Sequence, residues 1–132
     1  GGCMDGVEKQ KVKISLLSEM TEKAASGVRP AVLSDFDELA RRVNSGWYQL
    51  YEINDGESYL ITETINYAGS DKRLFVWCYA GKNIREMFQI IENAARRSGY
   101  SAIEYQTHRP GMRKMAEING YNELVRIYRK SL

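Results

Sequence analysis

The feature that most constrains this chain is the change of hydrophobic period on either side of Gly81. Before it, residues 73–80 (RLFVWCYA) are apolar at successive positions, Leu74, Phe75, Val76 and Trp77 included, as in a central strand covered on both faces. After it, Ile84, Met87, Phe88, Ile91 and Ala95 recur at helical spacing up to Ser98, and Gly99 supplies the stop. Asn83 and Glu86 are spaced as a capping box at the start of this helix. A further strand is predicted over 100–107. Strand, amphipathic helix and strand make a crossover unit, so the two strands are expected side by side and parallel, splaying at the end marked by Gly81.

Upstream the period is two. Residues 47–54 (WYQLYEIN) and 57–67 (ESYLITETINY) read as hairpin strands joined at Asn54-Asp55-Gly56, and Ala68-Gly69-Ser70-Asp71 turns the chain into 73–80. The first hairpin strand is expected at a sheet edge. Residues 8–25 place Val12, Leu16, Leu17, Met20 and Ala24 at helical spacing, with Gly27 and Pro30 ending the helix. A second helix starts at Ser34 as N-cap, with Asp35 and Asp37 in its first turn, and stops at Gly46; Phe36, Leu39, Ala40 and Val43 form its inner face. After 100–107, Pro110 opens a short helix with Met112, Met115 and Ala116 inside, Asn119-Gly120 turns, and 121–130 (YNELVRIYRK) is the last strand. The fold class is therefore α/β in the α+β sense: a mixed, mostly antiparallel sheet with helices on both faces. Residues 8–132 are read as a single domain and 1–7 as a disordered tail, Gly1-Gly2 before Met4 resembling a cloning scar. A chain of 132 residues can bury roughly two-thirds of its unfolded surface.

Charge and composition narrow the function classes. Residues from Lys82 onward carry ten Lys/Arg against five Asp/Glu, and residues 1–81 nine against twelve. That basic C-terminal half suits a phosphate-bearing ligand but lacks the dense stripe of a nucleic-acid binder, so no nucleic-acid partner is expected. No apolar run reaches the ~20 residues of a membrane helix, and a cytoplasmic location is the default. Cys3 and Cys78 form no disulfide framework, and Cys78 reads as core. His108 is the only histidine, so no metal site of histidine type is expected. Nine tyrosines and two tryptophans exceed what one core layer needs. A homo-oligomer or protein partner engaging the 47–67 hairpin is the expectation they raise.

The strand 74–80, the helix 84–98 ending AARRSG, the strand SAIEYQTH and the segment MRKMAEINGY, with its Gly120-Tyr121 pair, resemble the GNAT superfamily of acyl-CoA-dependent N-acetyltransferases over nearly the whole chain. A narrower likeness is to small GNAT-like proteins of tailed bacteriophages, which implies host cytoplasm or virion as the location. The resemblance implies that acyl-CoA enters between strands 74–80 and 101–107. Val76, Trp77, Cys78 and Tyr79 would then hold the pantetheine arm, and residues Gly81, Lys82, Asn83 and Arg85 the pyrophosphate. The loop departs from the family pattern: one glycine remains, and Lys82, Asn83 and Ile84 replace small residues, so acetyl-CoA is an allowed rather than required ligand with weak affinity. Glu63 and Glu104 are the candidate bases. Ala116 stands where the family often has its acidic tyrosine, leaving Tyr121, Tyr79 or water. Two readings follow: a non-catalytic or very weak GNAT-like binding module, and an acyl-CoA-dependent N-acetyltransferase acting on an amine.

Overall fold

Two left-handed turns set the meander of the sheet. In the computed structural model, which describes residues 11–32, 35–106, 112, 116–124 and 128–132, Asp55 and Gly56 have φ of 57° and 104°. The turn closes with Glu57 N–H donating to the Asn54 carbonyl at 3.3 Å. Gly69 and Ser70 repeat the arrangement at 72° and 69°, closed by Tyr67 N–H on the Asp71 carbonyl at 2.7 Å. Positive φ at both central residues matches the twist of the flanking strands.

Five strands lie in chain order: β1 Ile14–Leu17, β2 Gln49–Ile53, β3 Ser58–Asn66, β4 Lys72–Ala80 and β5 Ala102–Tyr105. The first four are antiparallel, and β5 is parallel to β4, as the crossover predicts. Helices α1 Glu22–Val28 and α2 Phe36–Asn44 cover one face, packing on Leu50, Tyr59, Ile61 and Cys78. Helix α3 Ile84–Arg97 covers the other, with Met87, Phe88, Ile91 and Ala95 against Ile53, Leu60, Leu74 and Val76. Mixed sheet and helices on both faces are as the sequence predicts.

A β-bulge explains why 73–80 is apolar at nearly every position. Thr62 pairs with Val76 and Ile61 with Cys78, so Trp77 is an extra residue on β4. Leu74 and Val76 belong to the α3 core, whereas Cys78 and Ala80 belong to the α1/α2 core. The strand changes sides at Trp77; it is not covered by helices along its whole length.

Several expectations need correction. Residues 8–25 are not one helix. The alternation Val12, Ile14, Leu16 among Lys11, Lys13 and Ser15 fits a strand equally well, and pairing with β2 decides for β1. The helix starts only at Thr21, whose hydroxyl caps the Ala24 N–H at 3.1 Å. Strand 47–53 is consequently internal, and the edge is β1, with Ile14 and Leu16 exposed. Gly27 does not stop α1 but lies inside it, where a Cβ would come within 2.6 Å of the Tyr59 ring. The N-cap of α2 is Asp35, whose carboxylate accepts the Asp37 and Glu38 N–H groups at 3.0 and 3.3 Å. Ser34 lies outside the described residues, as do the 1–7 tail with Cys3, His108 with Pro110, and Met115. Met112 and residues 116–118 are helical, while 121–124 and 128–130 are not strand. The remainder of the predicted last strand, 125–127, lies outside the described residues.

Candidate functional site

The sequence places the opening between the two parallel strands at the Gly81 end of β4. Parallel pairing ends at Val76 with Tyr105, yet β4 runs on to Ala80. Among the described residues no strand pairs with the β5 side of 77–80. A cleft of about 70 Å³ lies there, walled by Val76, Tyr79, Ile84, Phe88 and Tyr105, with Trp77 and Cys78 also bordering it. Phe88 and Tyr105, 5.6 Å apart between ring centres, narrow it. Neither is marked in the sequence as a site residue, because the position of a wall across a crossover is a tertiary property.

The chain between β4 and α3 is pinned from below. Gly81 has φ of 143°, and a Cβ on it would collide with Ser58 Oγ. The Tyr79 hydroxyl donates to the Lys82 carbonyl at 2.5 Å and lies 3.2 Å from Ser58 Oγ. Burial raises the Tyr79 phenol above its ordinary value. Asn83 sits in the left-handed region at φ 58° and its side chain makes no cap hydrogen bond, so the expected capping box is absent. A left-handed Asn turns its amide away from the first-turn N–H groups while its carbonyl still accepts Met87 N–H at 3.0 Å. The helix start therefore keeps first-turn donors that Asn83 does not satisfy, the arrangement that attracts anions. Lys82 and Arg85 are exposed beside it.

The candidate bases share one row. Glu63, Phe75 and Glu104 are register partners across β3, β4 and β5, which sets the carboxylate-bearing Cα atoms about 10 Å apart. Glu63 accepts the indole N–H of Trp47 at 2.9 Å and of Trp77 at 3.1 Å. Glu104 lies 3.7 Å from the Arg73 guanidinium. Tyr121 is not at the cleft: its hydroxyl donates to Glu92 on α3 at 2.6 Å, and its ring packs edge-on against Tyr105 at 5.4 Å. Burial first, and the Glu92 carboxylate second, push its phenol strongly upward, which suits a structural hydrogen bond better than proton donation. Cys78 is buried in the core as expected. Among the described residues no cluster of His, Cys, Asp and Glu is arranged to hold a metal ion, and no helix is long and apolar enough to cross a membrane.

No family model matches the sequence. No curated protein matches it either. Solved structures do. A ribosomal-protein-alanine N-acetyltransferase from Brucella melitensis biovar Abortus superposes with a TM-score of 0.65 at 13% identity, covering 92% of this chain and 99% of that one. The aminoglycoside N-acetyltransferase AAC(6')-Iy, in complex with a CoA-linked bisubstrate analogue, gives 0.60 at 12% over 93% and 100%. A GCN5-related N-acetyltransferase from Ralstonia eutropha JMP134 gives 0.52 at 15% over 92% and 99%. Identities this low carry the architecture and nothing finer, and on that architecture the chain has the GNAT acetyltransferase fold.

Proposed function

We propose that this chain binds an acyl-CoA at the β4/β5 opening and passes the acyl group to an amine, slowly. The observation that carries the reading is the end of parallel pairing at Val76/Tyr105 while β4 continues through 77–80. When bound, the acyl-CoA supplies a thioester carbonyl for an amine to attack, with the free CoA thiol as leaving group. The chain's part is to bind and orient. Backbone groups of 77–80 offer strand-type hydrogen bonds to an amide-containing arm. The start of α3, with Lys82 and Arg85, offers donors and positive charge to phosphates. Fit is good at that phosphate end and tight at the arm, where Tyr79, Phe88 and Tyr105 leave about 70 Å³. Glu63 and Glu104 face the α1/α2 side, where either can take an amine proton directly or through one water.

A second reading, a binding module without turnover, is favoured by the missing acid. Ala116 offers no hydroxyl, and those of Tyr79 and Tyr121 already donate to Lys82 and Glu92. Calorimetry with acetyl-CoA tests the shared part: saturable heat is expected, with a dissociation constant weaker than about 1 µM (about −8 kcal/mol). Absence of heat at millimolar ligand removes both readings. Thiol release across a panel of amines then separates them, since steady release requires transfer. A phage origin, with action in the host cytoplasm or virion, is a proposal carried by sequence likeness alone. Association through the 47–67 hairpin is likewise a proposal. It rests now on exposed Trp47 and Tyr67 and no longer on a sheet edge, and sedimentation at rising concentration tests it.

A further inference from the structure

The geometry points to a binding site for an organic ammonium ion on the α1/α2 face, formed by Trp47, Phe75, Trp77 and the carboxylate of Glu63. Glu63 is half-buried and accepts one indole N–H from each tryptophan. Among the described residues no Lys or Arg pairs with it, although Glu38, Glu52, Asp71 and Glu104 each have a cation within 4 Å. Among those residues it is a carboxylate without a cationic partner, with the N–H edges of two indoles directed at its oxygens.

The rings are held in place and still accessible. Trp77 stacks on Tyr48 at 5.2 Å and 21°, and Phe75 lies 4.7 Å from it. The Arg42 guanidinium lies 4.5 Å from the centre of the Trp47 ring. Arg42 is itself tied to Glu38 at 2.9 Å and to the Tyr48 hydroxyl at 2.8 Å, so it does not neutralise Glu63. With those contacts made, Trp47 is still 56% exposed and Trp77 42%. Aromatic faces attract cations through their quadrupole, and most effectively those that surrender little hydration, as alkylated ammonium ions do. Glu63 adds the charge term and disfavours anions. A neutral apolar ligand of the same shape gains the rings but not the charge.

Trp77 also borders the β4/β5 cleft, so the box lies next to the place where an acyl group would be delivered. As the acceptor's site it deepens the acyl-transfer reading and rests on it; as an ammonium site it stands alone.

Both tryptophans of the chain are in this box, so intrinsic fluorescence reports on it selectively. The full chain is titrated with choline chloride at constant ionic strength, and separately with 3,3-dimethylbutan-1-ol, its neutral carbon isostere. A saturable change with choline is expected in the millimolar range, with the isostere at least about tenfold weaker. Glu63→Gln, which keeps an acceptor for the indoles, is expected to raise the choline midpoint at least about fivefold and leave the isostere unaffected. Equal or non-saturating responses to the two probes, or an unchanged midpoint in Glu63→Gln, overturn the proposal. Should that variant not fold, the two indole N–H resonances of the unmodified protein decide: they shift with choline and not with the isostere, or the site does not exist. No acyl-CoA is present, so a null result alongside acetyl-CoA heat removes the box alone. A choline response without that heat removes the transfer reading alone.

Discussion

Replacing Gly81 by alanine tests whether the turn into α3 is fixed by packing or is merely permissive. Two costs add. The residue's φ of 143° lies where an L side chain is strained, about 1–3 kcal/mol. Its Cβ would collide with Ser58 Oγ and lie 2.6 Å from Ser58 Cβ and 2.8 Å from the Ser58 backbone, an overpacking worth about 1–3 kcal/mol. Together they predict a loss of about 4 kcal/mol, a large part of the roughly 5–15 kcal/mol that holds a domain folded. Urea denaturation of the two proteins measures it. A second variant separates the terms: in Gly81→Ala/Ser58→Gly the clashes with the serine side chain vanish, while the backbone strain and the close approach to the residue 58 backbone stay. About half the loss should return, measured against Ser58→Gly alone. A Gly81→Ala cost below about 1 kcal/mol, or one indifferent to Ser58, would refute the argument that Ser58 dictates this glycine.

Lys82→Glu combined with Arg85→Glu should weaken acetyl-CoA binding at least about tenfold and flatten its salt dependence in calorimetry, because both cations stand at the helix start. Ile61→Ala, at a position with no exposed surface, should cost about 2–5 kcal/mol by urea midpoint; a smaller value would mean that the α1/α2 core collapses onto the gap. Asp71 accepts from Arg73 at 2.7 Å and from Ser101 Oγ at 2.5 Å, and these bonds, Arg73 first, hold its carboxyl below the ordinary 3.8. Its folded value being the lower one, its contribution is present above pH 3.8 and is lost as pH falls through the folded value. Asp71→Asn should therefore flatten the acid limb of thermal stability, and an unchanged limb would show that Asp71 does not link β4 to β5.

What the sequence discloses of this fold follows from where local chemistry decides. Asn54-Asp55-Gly56 and Gly69-Ser70 require positive φ, so their turns are readable in isolation. The apolar stripe of α3 spans enough turns for its period to be unambiguous. Residues 11–17 are different: Val12, Ile14, Leu16 and Leu17 satisfy a helical and a strand pattern alike, and only the unoccupied edge of β2 selects the strand. Gly27 looks like a stop because glycine usually is one near a helix end. The Tyr59 ring that makes it a contact residue is more than thirty positions away and leaves no local trace.

The site divides along the same line. The unpaired end of β4 at 77–80 is legible because a crossover leaves its first strand there, whatever the residue identities. The two indole bonds to Glu63 are not, since a strand glutamate at an outward position looks the same whether solvated or held by two indoles. Trp77 reaches it from the same face of β4 as Phe75, and Trp47 from the chain just before β2. With regular alternation Trp77 would share a face with Phe75 but Cys78 would share one with Leu74 and Val76, against the helix α3. The extra residue lets Val76 and Cys78 enter opposite cores and leaves Trp77 between them, bordering the cleft and bonded to Glu63 at once. The passage of β4 from one core to the other is a consequence of one added residue, and neither its presence nor its position is encoded in any pattern of polar and apolar residues along that strand.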